Sequence, residues 1–311
     1  MNTALHMIWN PSEGIQIGSF TLRFYSLMFV IAFGLGYFIT QKIYNREGRT
    51  QDELDKLFMY TFIATLLGAR LGHVFFYDWD NYYKDHLSEI LLPFRFEPEF
   101  QFTGFSGLAS HGAAIGVILA MAYYKSKVMK DKPLLWILDR ITLPVTIGGV
   151  FVRFGNFFNS EIIGHETTAA TGIRFVRDKF SAREAVGYTG INDVNEAYKA
   201  IVNDPKFATL LEQVTAKHPT QLYEAFGYVI LFAVLYYMYW KTDARNYLGK
   251  LFGVFLVFLW GIRFVVEFVK ESQGGFESSL GNILSTGQWL SIPFIIVGFY
   301  LWFASKDKKI A

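Results

Sequence analysis

Long apolar stretches separated by short polar clusters dominate the chain. Seven of them, at roughly 22–43, 57–77, 105–128, 134–158, 221–240, 251–269 and 289–303, approach the ~20 residues a helix needs to cross a bilayer core. The pattern predicts an all-α polytopic membrane protein with seven transmembrane helices. Gly104, Gly107, Gly112 and Gly116 suit close helix packing around the start of the third segment. Residues 161–217 break the pattern with mixed polar and apolar positions. They predict a small subdomain between the fourth and fifth spans, with strands near 172–176 and a helix near 194–202.

Composition agrees. The 311 residues are 52% hydrophobic and only 18% charged, whereas a soluble domain carries about 25% charged residues. The absence of cysteine excludes disulfides, thiolate metal sites and a cysteine nucleophile. The six histidines are scattered without ligand spacing, so neither a metal nor a cofactor is expected. No nucleic-acid partner is expected either. The first 18 residues lack a basic stretch followed by an apolar core, so no cleavable signal is predicted.

Basic residues then orient the spans. Lys42, Arg46 and Arg49 follow the first span, and Lys125, Lys127, Lys130 and Lys132 separate the third from the fourth. Lys241, Arg245 and Lys250 separate the fifth from the sixth, and Lys306, Lys308 and Lys309 end the chain. With seven spans these clusters share one side. The N-terminus is therefore expected outside, the C-terminus in the cytoplasm, and the 161–217 insertion on the outer face.

Several charges lie inside apolar segments, where a cation costs about 2.5–3.5 kcal/mol and calls for a partner, a cavity or a ligand. Arg153, Asn156 and Asn159 recur at i, i+3 and i+6 and share one helical face, with Glu161 and Gly164 just beyond. An arginine fork suits phosphate or carboxylate; a plain structural pairing of Arg153 with Glu161 or carbonyls is the alternative. Arg263 and Glu267 are four apart and suited to pairing with each other. Arg70, His73 and Tyr77 make a polar stripe on the second segment, and Arg23 and Tyr25 open the first. His111 sits between Ser110 and Gly112. Its imidazole, titrating at about 6.5 when unperturbed, either takes a proton at neutral pH or serves as a hydrogen-bonded interhelical group. His218-Pro-Thr-Gln-Leu-Tyr-Glu224 stands where the insertion re-enters the membrane, with Thr220, Gln221 and Glu224 able to cap the helix entry. By this topology the charges gather at the outer level, as a site for an anionic, membrane-resident ligand.

At these residues the chain resembles the bacterial prolipoprotein diacylglyceryl transferase family. Arg153-Phe-Gly-Asn-Phe-Phe-Asn-Ser-Glu-Ile-Ile-Gly164 is similar to the family's identifying run. Arg23-Phe-Tyr25-Ser-Leu-Met28, Ser110-His111-Gly112, His218-Pro-Thr-Gln-Leu-Tyr-Glu224 and Gly261-Ile-Arg263-Phe-Val-Val-Glu267 match its other blocks in order. Val152, Phe158 and Leu259 depart from the family's usual residues.

The resemblance implies one integral-membrane catalytic domain over 1–311. It sits in the bacterial inner membrane, with its active site toward the periplasm. The implied reaction moves a diacylglyceryl group from phosphatidylglycerol to the lipobox cysteine of a prolipoprotein signal peptide. It forms a thioether and releases glycerol phosphate, the first step of lipoprotein maturation. By the same resemblance Arg153 and Arg263 hold the phosphate, and Asn156, Asn159, Glu161 and Gly164 shape the lipid site. Tyr25 lines the head-group cavity, and Glu267 positions Arg263. His111 is the candidate proton acceptor, with His218 the alternative. An anion transporter is the competing class; transporters often carry internal repeats, and none is visible here.

Overall fold

The computed structural model describes residues 6–18, 20–92, 94–96, 100–102, 107, 109–272 and 283–305. In chain order the strands and helices are β1 (Met7–Trp9), β2 (Gly14–Ile17), β3 (Phe20–Arg23), α1 (Phe24–Arg46), α2 (Gln51–His73), β4 (Phe94–Arg95), β5 (Gln101–Phe102), α3 (Ser110–Lys127) and α4 (Leu134–Phe158). They continue as β6 (Ile173–Phe175), α5 (Val176–Lys179), α6 (Ala182–Thr189), α7 (Val194–Asn203), α8 (Ala208–Glu212), β7 (Ala216–Lys217), α9 (Thr220–Lys241), α10 (Lys250–Val266) and α11 (Thr286–Ala304).

Each of the seven predicted segments contains a helix. Among the described residues, five stretches are long and apolar enough to cross a membrane: Phe24–Arg46, Gln51–Asp80, Leu134–Phe158, Thr220–Lys241 and Thr286–Ala304. This is the architecture of a mostly helical polytopic membrane protein. The other two helices, α3 with 18 residues and α10 with 17, are shorter. Gly104, just before the predicted third segment, and that segment's residues 105, 106 and 108 lie outside the described residues.

The chain divides into two compact units, 37–141 and 1–36 with 142–311. In the first, a Thr50–Glu53 capping box starts α2. Glycines draw α2 against α3: a Cβ added to Gly72 would stand 2.7 Å from the Gly112 Cα. Beyond α2 the chain continues as a π-helix, Val74–Tyr83, so the second segment runs past its predicted end. The stripe of Arg70, His73 and Tyr77 serves this region locally. Arg70 donates to the carbonyls of Ile90 (2.7 Å) and Glu89 (2.9 Å), and His73 pairs with Asp78 (2.9 Å). At the other end of α2, Arg49 forks between Glu53 (2.5 Å) and Asp131 (2.8 Å), which lifts its pKa above the usual arginine value. Arg140 pairs with Glu47 (2.9 Å) and lies over the Trp136 ring.

In the second unit, α10 packs on α11, where Gly253 permits close approach to the Trp302 backbone. Residues 161–217 fold as a small mixed subdomain. Strand β6 and helix α7 fall where the sequence predicts them. Val176, Phe180, Ala185, Ala197, Tyr198 and Ile201 form its apolar core. A Ser181–Glu184 capping box and an Asp193 cap start α6 and α7. Its sheet runs β1-β6-β7, so the N-terminal strand joins it. Trp9 stacks on Phe157 and donates its indole N–H to the Phe157 carbonyl at 2.9 Å. This ties the subdomain to the end of α4.

Candidate functional site

The last two turns of α4 bring Arg153 and Asn156 to one face, both buried. The Arg153 Nε pairs with Glu224 Oε2. Its Nη1 donates to Asn156 Oδ1 at 3.0 Å, and the Asn156 amide donates to Glu161 Oε1 at 2.7 Å. A continuous polar chain therefore runs Glu224–Arg153–Asn156–Glu161. Tyr25 stands beside it, within electrostatic reach of Glu161 and Arg153. Gly155 lets the Tyr25 ring approach, since an added Cβ would sit 2.8 Å from that ring. Asn159 lies beyond the helix end, its amide 3.5 Å from Glu161 Oε1.

Glu224 comes from α9, whose Gln221, Glu224 and Tyr228 share a face at i, i+3 and i+7. Tyr228 donates its hydroxyl to Glu224 Oε2 at 3.1 Å. The structural pairing expected between Arg153 and Glu161 is thus replaced by pairing with Glu224. Physically, Glu224 is 1% exposed and needs a counter-charge, whereas Glu161 is exposed.

Glu161 stands in a strained turn. Ser160 and Ile162 have φ of 53° and 58°, a conformation a β-branched residue rarely adopts and that costs on the order of 1–3 kcal/mol. Two side chains of α9 hold it: Gln221 donates to the Glu161 carbonyl (2.5 Å) and Thr220 to the Ile162 carbonyl (2.7 Å). Gly164 closes the turn. Its N–H donates to the His218 carbonyl at 2.9 Å, and it forms a β-bridge with Lys270. A Cβ there would lie 2.7 Å from the His218 Cβ and 2.8 Å from the Thr220 Cγ2. Gly164→Ala is therefore expected to destabilise the protein by about 1–3 kcal/mol and to lower activity. Thermal melting beside an activity assay checks it; a melt unchanged from the parent would contradict the packing argument.

Arg263 sits in the last turn of α10 with its guanidinium over the Trp260 ring, 5.3 Å from the centroid. Its Nε is buried and has no hydrogen-bond partner among the described residues. An unmet buried N–H is costly, so this one points to an acceptor supplied from elsewhere. Arg263 and Lys270 are both within electrostatic reach of Glu224. Glu267 does not pair with Arg263 as its spacing suggests; its Oε2 is 3.1 Å from Lys270 Nζ. The backbone stays helical through Glu267, whose N–H still bonds the Arg263 carbonyl at 3.0 Å, so the difference lies in the side chain: Lys270, three residues on, takes the carboxylate.

His218 stands beside this cluster. Its Nδ1 is 3.1 Å from the Tyr223 hydroxyl, which also contacts Thr171 at 2.9 Å. His111 is the second residue of α3 in the other unit, and its side chain lies outside what the structure describes. A groove of about 420 Å³ lies between α9 and α10, lined by apolar residues including Phe226, Gly227, Gly261, Ile262 and Val265. Sequence reasoning gave Glu224 and Gln221 only as helix-entry caps and missed Tyr228 and Lys270. The available signal was the spacing of polar groups along one face of an otherwise apolar α9.

These features define a polytopic membrane protein with a buried, arginine-centred polar cluster where α4, α9 and α10 meet. Sequence comparison is specific about which. The chain belongs to the prolipoprotein diacylglyceryl transferase family, whose profile matches residues 13–304. It is 36% identical over 304 residues to the phosphatidylglycerol–prolipoprotein diacylglyceryl transferase of Tolumonas auensis, covering 97% of this chain and 99% of that one. The proteins of the same description from Chloroherpeton thalassium and Bacteroides fragilis are each 34% identical, covering 99% of this chain and 97% and 98% of theirs.

Proposed function

We propose that this protein transfers the diacylglyceryl group of phosphatidylglycerol to the lipobox cysteine of prolipoproteins. A C–S bond forms to the glyceryl carbon as that carbon's C–O bond to phosphate breaks. The thiol proton goes to a base, and glycerol phosphate leaves. The diester carries one negative charge and the departing monoester gains another. Fixed cations that meet that growing charge lower the barrier. The observation that carries this reading is the buried Arg153 held by Glu224 and Asn156, with the unsatisfied Arg263 Nε in the same cluster. Arg153 and Arg263 clamp the phosphate. Asn156, Asn159, Glu161, Gly164 and Tyr25 shape the head-group site, and the α9–α10 groove offers apolar surface to an acyl chain. His111 is the proton acceptor, with His218 as the alternative. A thiol with a pKa of about 8.5 needs such help at neutral pH.

The reading carries a topology. Seven spans place the lysine- and arginine-rich connections in the cytoplasm, and the 161–217 subdomain and the site on the periplasmic side of the inner membrane. A single cysteine placed between Lys125 and Lys132 is expected to resist impermeant thiol reagents added from outside; labelling there would overturn the orientation. The reaction itself is tested with purified protein, phosphatidylglycerol and a lipobox peptide. Glycerol phosphate and a peptide heavier by one diacylglyceryl group are expected. Movement of phospholipid without a covalent product would favour a transporter instead.

A further inference from the structure

Lys270 has no role in the clamp described above, yet its placement is unusual for a lysine. It is 7% exposed, in a residue type that is almost never fully buried unless paired. Its backbone bridges to Gly164, at the end of the run that begins with Arg153. Its Nζ meets Glu267 at 3.1 Å. An ammonium carries three donors, and the Glu267 contact uses one of them.

Among the described residues, the charges of the cluster do not balance. Arg153, Arg263 and Lys270 contribute three positive charges, and the enclosed carboxylates Glu224 and Glu267 contribute two negative ones. Glu161 is exposed to solvent at the margin. Buried charge without a counter-charge is expensive, so an excess of one cation calls for a bound monoanion. A phosphodiester carries one negative charge; a zwitterionic phospholipid brings an ammonium that cancels it.

We propose that Lys270 is a third cation of the lipid-phosphate site and that its surplus charge selects a singly anionic phospholipid over a zwitterionic one. The proposal rests on the transferase reading above. Glu267 then serves to hold Lys270 in place within the cluster, and the two arginines remain the groups that meet the leaving phosphate.

The test compares Lys270→Met, Lys270→Arg and the double variant Glu267→Gln/Lys270→Met, assayed for glycerol phosphate release against phosphatidylglycerol concentration. Lys270→Met is expected to raise the apparent KM for phosphatidylglycerol by about 10-fold, the worth of one charge-assisted hydrogen bond, with kcat within about 3-fold of the parent. Lys270→Arg is expected to restore KM, and competition by phosphatidylcholine to strengthen in Lys270→Met. The double variant removes a buried pair together, so it folds even where the single variant leaves Glu267 unpaired; it lacks the Lys270 donor but keeps one surplus positive charge, so it is expected to show the raised KM with phosphatidylcholine competition as weak as the parent's. A double variant with parental KM, or a Lys270→Met protein whose competition by phosphatidylcholine is unchanged from the parent, would overturn the proposal and reduce Lys270 to a structural partner of Glu267. Failure of the parent protein to release glycerol phosphate would instead overturn the transferase reading.

Discussion

Arg153→Ala is expected to abolish transfer, lowering the rate by about 10²–10³-fold or more, the cost of removing one preorganised donor to a developing anion. The same change strips Glu224 of its paired cation and Asn156 of its donor. Breaking a buried pair in this way costs about 3–5 kcal/mol of stability, so lost activity alone would be ambiguous. Arg153→Lys separates the two effects. It keeps the charge beside Glu224 but replaces a planar fork with a single ammonium. The contacts to Glu224 and Asn156 come from two different guanidinium nitrogens, so one ammonium must give up one of them. Arg153→Lys is therefore expected to melt near the parent and to remain at least about 10-fold less active in glycerol phosphate release. Parental activity in Arg153→Lys would refute the clamp. His111→Gln is the companion measurement: near-parental transfer there, with activity lost in Arg153→Ala, would remove His111 as the base and leave the clamp standing.

The sequence carries much of this site because its chemistry is concentrated in short runs. Apolar length marks the helices. A cation within apolar sequence marks Arg153 and Arg263 without any knowledge of their partners. What escapes is the pairing. Spacing along one helix favours Arg263 with Glu267, but a competing cation just beyond the helix, Lys270, takes the carboxylate instead. Arg153 takes its counter-charge from α9, because burial of Glu224 is a tertiary fact that spacing within α4 does not reveal. The left-handed backbone at Ile162 is illegible for a sharper reason. Intrinsic preference argues against it, and only Thr220 and Gln221, clamping two carbonyls from a distant helix, make it tolerable. The continuation of α2 into a π-helix through Asp78 and Asp80 likewise runs against the polar pattern that predicts an earlier end.

Glu224→Gln carries the second large expectation, and it reports on the electrostatics of the cluster. The amide keeps the shape of the side chain and can still accept from Tyr228. What it loses is the charge that faces Arg153 and lies within reach of Arg263 and Lys270. Among the described residues, three cations then face Glu267 as the one enclosed carboxylate beside them. Loss of one partner from a buried pair is expected to cost about 3–5 kcal/mol, read as a lower melting temperature in neutral detergent. An anionic lipid that binds among these cations supplies the missing charge. Phosphatidylglycerol is therefore expected to raise the melting temperature of Glu224→Gln more than that of the parent, while phosphatidylcholine gives no such excess, because ligand linkage rewards the state with the greater affinity. Transfer should fall at the same time, since tighter lipid binding through a misdirected Arg153 improves the ground state and not the transition state. A Glu224→Gln protein as stable as the parent and indifferent to phosphatidylglycerol would mean that Glu224 is not the counter-charge of the site.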